Sequence, residues 1–172
     1  VDYSGDIIIT GSFIGSATFG NISISAGSDH DIFVAKLNSD GEWQWVAKAE
    51  SGSSDESGSI DTDSSGNSYI TGNMGGSLFI AKLNTTGSWK WEVTSSEGSG
   101  SGIAVDPLGN VHVTGETQAI TSMLGCSSNS YSGIFVAKLD TNGTCIWVNS
   151  VATSFGMGRS IDIDSSGNSY VT

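Results

Sequence analysis

The chain has 172 residues and a net charge of −12, because 18 acidic residues stand against six Lys and Arg. This balance excludes nucleic acids and anionic membranes as partners, since phosphate groups require clustered basic residues. No apolar run approaches the roughly 18 residues of a membrane span, so we expect no membrane insertion. A cation, a protein or a neutral glycan remains possible as a partner. The chain begins at Val1 inside a repeated motif, and we interpret its ends as cut or processed.

The first element in chain order is the second half of a hairpin motif, VDYSGDIIITG, at Val1–Gly11. The complete motif occupies Ser59–Gly72 and Gly102–Gly115, and a version cut by the chain end occupies Ser160–Thr172. Each copy has two alternating apolar runs around a D-x-x-G-[ND] turn, which predicts a β-hairpin of strands A and B.

A second motif alternates with the first and occurs three times, at Asp31–Trp45, Ser77–Trp91 and Gly133–Trp147. It predicts strand C, a glycine-containing turn, and a strand D that carries Trp-x-Trp or, in the third copy, Cys-x-Trp. In the first copy Phe33, Ala35 and Leu37 share one face of strand C, and Val34 and Lys36 share the other.

Repeated four-stranded antiparallel units without any helical period predict an all-β fold, a β-propeller with strand A innermost and strand D on the rim. The predicted blades are residues 1–50, with the first strand largely missing, 58–97 and 101–153, followed by a partial fourth blade, an A–B hairpin, at 159–172. Since propellers close with about four to eight blades, we expect an open, incomplete ring. Either the chain is a fragment, or its open edges self-assemble with other copies.

The repeated phrases resemble the SBBP β-propeller repeat of bacteria and archaea, and more distantly the NHL and FG-GAP repeats. The resemblance is carried by GIAVDPLGNVHVTG, DIFVAKLN and DG-x-W-x-W. The resemblance covers nearly the whole chain. It implies a secreted or surface-attached multi-blade propeller, and it brings no defined catalytic residues.

Two A–B turns resemble the first half of a calcium loop, because oxygen-bearing residues alternate before a glycine. The candidate ligands are Asp61, Asp63, Asp162 and Asp164. The alternative is that the turn-starting aspartates cap turn amides. The second interpretation is favoured by the absence of the closing Glu and by Ala104, which replaces the first Asp in another copy. No other cofactor is expected.

Three lysines, Lys36, Lys82 and Lys138, recur in strand C, and we expect each to pair with an acidic group or a carbonyl inside the fold. A ligand-binding role would need all three to converge. The tryptophans of strand D could form a glycan-stacking surface, but their repetition in each blade favours packing between neighbouring sheets.

Cys126 and Cys145 are candidates for a disulfide in a secreted-looking chain, with two free buried thiols as the alternative. Asn21, Asn84 and Asn142 each begin an N-x-[ST] pattern and are candidate glycosylation sites.

No catalytic constellation is evident, since the two histidines, His30 and His112, lie in different blades. The favoured function is therefore a non-catalytic extracellular or cell-surface scaffold that presents its B–C inserts to a protein or glycan partner. The alternatives are a structural subunit completed by neighbouring chains in a ring, fibre or surface layer, and a propeller lyase or hydrolase.

Overall fold

The structure is a computed structural model that describes residues 1–96, 98–118, 122–127, 132–154 and 156–172. All regular elements in these residues are β-strands, as predicted. Within the same ranges, no helix is long and apolar enough to cross a membrane.

Seventeen strands follow one another in the described ranges. Their bounds are β1 Ile7–Phe13, β2 Ser16–Phe19, β3 Ile22–Ser25, β4 Asp31–Leu37, β5 Trp43–Ala49, β6 Asp55–Thr62, β7 Ser68–Met74, β8 Ser77–Leu83, β9 Trp89–Ser95, β10 Ser99–Val105, β11 Val111–Thr117, β12 Ser122–Met123, β13 Cys126–Ser127, β14 Gly133–Leu139, β15 Cys145–Ala152, β16 Ile161–Ile163 and β17 Ser169–Val171.

The strands form antiparallel blades in the predicted A-B-C-D order. Blade 2 is β6-β7-β8-β9 and blade 3 is β10-β11-β14-β15. Blade 1 is the three-stranded sheet β1-β4-β5, which lacks strand A, and the partial blade 4 is the hairpin β16-β17. The predicted open β-propeller is confirmed, with no sheet closed on itself among the described residues.

The A–B and C–D turns share one local design. A side-chain oxygen caps the turn amides, and a glycine follows with positive φ, as at Gly66 (78°) and Gly143 (82°). Glycine tolerates this left-handed conformation because it has no Cβ. The turns therefore fix strand register from local sequence alone.

Strand A extends beyond its predicted start in both complete blades. It begins at Asp55 in blade 2 and at Ser99 in blade 3, and it continues through an irregularity opposite the Thr-Gly pair of strand B. There the Cα of Gly72 lies so near the backbone carbonyl of Glu56 that a Cβ would stand 2.1 Å from its oxygen. The alternating pattern alone did not indicate this β-bulge.

Each blade has a leading face toward the preceding blade and a trailing face toward the following one. In strand C of blade 1 the leading face carries Phe33 and Leu37, and the trailing face carries Ile32, Val34 and Lys36. The trailing face of blade 1 packs on the leading face of blade 2, and the trailing face of blade 2 packs on blade 3.

The burial of the strand C side chains shows which face of each blade is covered by a neighbouring blade. In β4 the trailing residues Ile32 and Val34 are fully buried, whereas the leading residues Phe33 and Leu37 are partly exposed. The apolar residues of both faces are buried in β8. In β14 the order is reversed, with the leading face buried and the trailing face, which includes Ile134, partly exposed. The apolar core therefore consists of interfaces between blades.

Candidate functional site

The A–B turns place the predicted calcium ligands Asp63 and Asp164 in a repeated hydrogen-bond network. In Asp63, Oδ1 accepts from the amides of Ser65 and Asn67, and Oδ2 accepts from the Asn67 side chain and the Tyr69 hydroxyl. Burial opposes the charge, but the hydrogen bonds from Asn67 outweigh it and lower the pKa of Asp63.

Asp164 repeats the same network in blade 4. Its Oδ2 accepts from the Asn168 side chain at 2.8 Å and from the Tyr170 hydroxyl at 3.0 Å. The hydrogen bond from the Asn168 side chain is the main cause that lowers the pKa of Asp164 to about 2. This carboxylate is thus held ionised by the turn itself.

Each lysine of strand C reaches the turn aspartate of its own blade. The Nζ of Lys36 lies 2.8 Å from Asp2 Oδ2, that of Lys138 lies 3.0 Å from Asp106 Oδ2, and that of Lys82 lies 3.7 Å from Asp63 Oδ2. Burial opposes the charge of Lys36, but its hydrogen bonds to Asp2 and Asp6 prevail and raise its pKa. The lysines are therefore internal counter-ions of the turns, and they do not converge on one ligand.

The other two predicted calcium ligands lie outside these turn networks. Asp61 Oδ2 accepts the amide of Val105 from the next blade at 2.8 Å, and Asp162 is exposed on β16. In the part of the chain that the structure describes, no three His, Cys, Asp or Glu side chains are arranged to hold a metal ion. The geometry thus gives these aspartates capping and blade-linking roles.

His112 occupies the strand B position that Tyr69 and Tyr170 hold in blades 2 and 4. It is 1% exposed, with Nε2 3.4 Å from Asp106 Oδ2 and Nδ1 2.6 Å from the hydroxyl of Ser169 in blade 4. Burial lowers the pKa of His112, against the opposing effect of Asp106. His30 is exposed in the B–C insert of blade 1, so the two histidines are not brought together.

The second tryptophan of each Trp-x-Trp pair links neighbouring blades. Trp45 Nε1 donates to the Thr85 carbonyl and Trp91 Nε1 donates to the Thr141 carbonyl, both at 3.0 Å. Each indole lies on the C–D turn glycine of the following blade, so these rings pack sheets together as predicted.

The first position of the pair anchors the B–C insert. In blade 1 Trp43 packs edge-on against Phe19 of the β2-β3 hairpin, with ring centroids 4.9 Å apart. In blade 3 the equivalent Cys145 forms a disulfide with Cys126 of the β12-β13 hairpin. Residues 119–121 and 128–131 of this predicted insert lie outside the described residues. The aromatic contact and the disulfide hold two inserts at matching places on their blades.

The three predicted glycosylation sites lie in turns. Asn21 is exposed at the tip of the β2-β3 hairpin, and Asn142 is exposed in the C–D turn of blade 3. Asn84 caps the C–D turn of blade 2, where its Oδ1 accepts the amides of Thr86 and Ser88. The side chains of Asn21 and Asn142 are thus open to solvent.

A cavity of about 1000 Å³ opens at the B–C end of the blades, near the inner strands of blades 2, 3 and 4. Strand B supplies Asn73 and Glu116, Gln118 directly follows β11, and the segment that leads into blade 4 supplies Met157 and Arg159. Glu116, Gln118 and Arg159 are exposed, whereas the Asn73 side chain donates to the Gly98 carbonyl at 2.9 Å. The lining therefore offers carboxylate, amide and guanidinium groups to a ligand.

The sequence did not indicate this cavity, because its lining comes from segments between the repeated phrases. One signal was present: Arg159 is the single arginine of the chain and stands just before a strand A. A smaller cavity of about 330 Å³ lies at the opposite end, between Lys36, Gln44 and Trp45 of blade 1 and the Thr85–Thr86 turn of blade 2.

The comparison with protein families agrees with this architecture. The model of SBBP, a beta-propeller repeat, matches residues 44–79 and 94–120. These segments run from strand D of blade 1 into strand C of blade 2, and from the end of blade 2 through strands A and B of blade 3. No curated protein matches the chain. The predicted resemblance to the SBBP repeat is thus confirmed, and these two segments of the chain match the beta-propeller repeat model.

Proposed function

We propose that the chain is a non-catalytic, extracellular propeller scaffold that binds a glycan at the B–C end of its blades. The observation that carries this proposal is the polar cavity lined by Glu116, Gln118 and Arg159. Their planar acceptors and donors suit the hydroxyl groups of a sugar, since a few placed polar groups give a binding site its specificity. A net charge of −12 is compatible with a neutral ligand.

The extracellular part of the proposal rests on the disulfide between Cys126 and Cys145. Disulfides persist in oxidising compartments and are rare in the cytosol. The exposed acceptor sequences at Asn21 and Asn142 are compatible with the same location.

The non-catalytic part rests on His112. A histidine acting as general acid or base must reach the substrate, and His112 is buried between Asp106 and Ser169. The cavity places Glu116 and Arg159 at a wide, solvent-open surface, where no neighbouring histidine assists them within the described lining.

A glycan array with neutral and acidic sugars tests the proposal. We expect binding that falls at least about fivefold in Arg159→Ala and Gln118→Ala, because each removes donors from the lining. Gln44→Ala, at the opposite cavity, is the matched control and should bind like the wild type. An array without binders, or binding that ignores both cavity variants, would contradict the proposal. A protein partner captured at the cavity instead would replace the glycan as ligand.

A further inference from the structure

We propose that the smaller cavity, between blades 1 and 2, binds the ammonium group of an alkylamine. Two sources share this chemistry, a free polyamine and the side chain of a lysine in a partner protein. The proposal goes beyond the glycan site and is independent of it, because the two cavities lie at opposite ends of the blades. It rests on the charge, the unused hydrogen-bond acceptors and the apolar wall of the smaller cavity.

The cavity lies in the contact between two neighbouring blades. Its lining comes from the trailing side of blade 1 and the C–D turn of blade 2, and comprises Asp6, Lys36, Gln44, Trp45, Thr85 and Thr86. The same two blades are joined by an apolar cluster, so both walls of the cavity are held in place by packing. A volume of about 330 Å³ is at the lower end of the range for small-molecule sites, which suits a short, flexible ligand.

The first feature is the charge of the cavity wall. Lys36 is only 9% exposed, and its Nζ lies 2.8 Å from Asp2 Oδ2 and 2.9 Å from Asp6 Oδ2. One ammonium group thus stands against two carboxylates, so the three side chains together carry a net charge of −1. A cationic ligand restores neutrality there, and the net charge of −12 attracts cations to the molecule as a whole.

This charge is specific to blade 1. In blade 2 an asparagine, Asn67, stands at the position of Asp6, and a lysine, Lys90, stands at the position of Gln44. The turn carboxylate and the strand C lysine are common to both blades, so the equivalent group in blade 2 has one carboxylate and two ammonium groups, a net charge of +1. The repeat therefore contains a natural counterpart that should repel the same ligand.

The second feature is the balance of hydrogen-bonding groups in the lining. Trp45 Nε1 donates to the Thr85 carbonyl at 3.0 Å. The side-chain amide of Gln44 donates to the Glu42 carbonyl at 3.1 Å. Within the described ranges, Asp6 Oδ1 and Gln44 Oε1 accept no hydrogen bond, so the groups left for a ligand are mainly acceptors. An ammonium group matches this lining, because it has three donors and no acceptor.

The third feature is the partly exposed indole of Trp45. The ring is fixed by its hydrogen bond and by Gly87, where an added Cβ would stand 2.7 Å from the ring. The indole gives the methylene groups of an alkylamine an apolar surface, and an aromatic ring also attracts an ammonium group. A calcium ion would instead require about six to eight oxygen ligands, and Lys36 would repel it. The lining therefore selects an organic cation.

Calorimetric titration of the 172-residue chain at low ionic strength tests the proposal. The probes are putrescine, as a free polyamine, and N-acetyl-lysine methylamide, as a lysine side chain. We expect saturable binding of an amine and none of the uncharged diol with the same carbon chain as putrescine. Tighter binding of putrescine would identify a free polyamine as the ligand, and tighter binding of the lysine derivative would identify a partner's lysine. Absence of binding by both amines would overturn the proposal.

Two variants separate the site from the general attraction of amines to an acidic protein. Asp6→Asn should weaken binding at least about tenfold, because it removes the charged acceptor. Asparagine is the residue at this position in the other three A–B turns, so the variant should fold. Asp40→Asn is the matched control, because it removes the same charge from an exposed turn of blade 1 outside the lining. Equal weakening in both variants would mean that overall charge alone attracts the amine, and the site would be wrong.

Two-dimensional NMR locates the bound amine without relying on its affinity. Putrescine should shift the indole N–H signal of Trp45, assigned with Trp45→Phe, and leave that of Trp91 in the equivalent place of blade 2 unchanged. Gln44→Lys, which gives blade 1 the lysine of blade 2, should abolish the shift. A shift of the Trp91 signal alone, or a Trp45 shift that persists in Gln44→Lys, would contradict the proposed site.

Discussion

The contact between strand D tryptophans and the following C–D turn can be measured by adding one methyl group. Gly41, Gly87 and Gly143 have almost the same φ, 81°, 77° and 82°. A Cβ at Gly143 would stand 2.9 Å from the Trp91 ring, whereas a Cβ at Gly41 would meet no atom within 4 Å. Alanine at Gly41 therefore tests backbone strain alone, and alanine at Gly143 tests strain together with the blade contact.

The expected magnitudes follow from the two effects. A left-handed non-glycine residue costs about 1–2 kcal/mol, so Gly41→Ala should lower the free energy of unfolding by that amount. Overpacking adds about 1–3 kcal/mol, because the Trp91 ring must move and its hydrogen bond to the Thr141 carbonyl lengthens. Gly143→Ala should therefore cost about 2–5 kcal/mol.

Urea unfolding followed by circular dichroism supplies the free energies, with constant slope as the check on two-state behaviour. The excess cost of Gly143→Ala should disappear when Trp91 is also replaced by Ala, as a double-mutant cycle would show. Equal losses for Gly41→Ala and Gly143→Ala would refute the blade contact as a source of stability.

Three further changes probe the interior. Replacing Cys126 and Cys145 by Ser should lower the free energy of unfolding by about 3 kcal/mol, the chain-entropy value for this loop. As the pH falls from 7.5 to 5 the wild type should lose free energy of unfolding, because the unfolded chain protonates His112 below about pH 6.5, whereas burial lowers the pKa of His112 in the folded chain. His112→Tyr should remove this loss. Ser68→Val should raise stability by about 1 kcal/mol, because the buried Ser68 hydroxyl has no hydrogen-bond partner among the described residues.

Each of these changes has its own control. For the disulfide, reduction of the wild type should match the double serine variant. For the histidine, His30→Tyr should leave the pH dependence in place, and a wild type with no such dependence would contradict the burial argument. For Ser68, the comparison is with blade 3, where a valine, Val111, is already buried at the equivalent position. A less stable Ser68→Val would mean that the hydroxyl has a partner.

The repeated phrases predicted the strands, their order and the blade contacts, because turn glycines and alternation are local signals. The alternation of side chains along a strand predicted the face of strand C on which Lys36 lies. It did not predict that Asp2 is the partner of Lys36, because this pairing depends on how the A–B turn folds over the sheet. The cavity around Glu116 and Arg159 was not predictable from the sequence, because those residues come from segments that differ between repeats. The lack of a described partner for the Ser68 hydroxyl is likewise a tertiary effect. The equivalent hydroxyl in blade 4, that of Ser169, contacts His112 of the preceding blade. In blade 1 the position of His112 is occupied by Ile8, which has no polar group to offer Ser68.

The internal lysine–aspartate pairs determine how the outside of the molecule responds to salt. Lys36, Lys82 and Lys138 are three of only six basic residues, and they face inward turns. The other basic residues are Lys48, Lys90 and Arg159, so acidic groups dominate the rest of the surface and two such molecules repel each other. Ionic screening shortens this repulsion to roughly 10 Å at 0.1 M salt, so adding sodium chloride should lower the second virial coefficient measured by light scattering. A second virial coefficient that rises with added salt would contradict this reasoning.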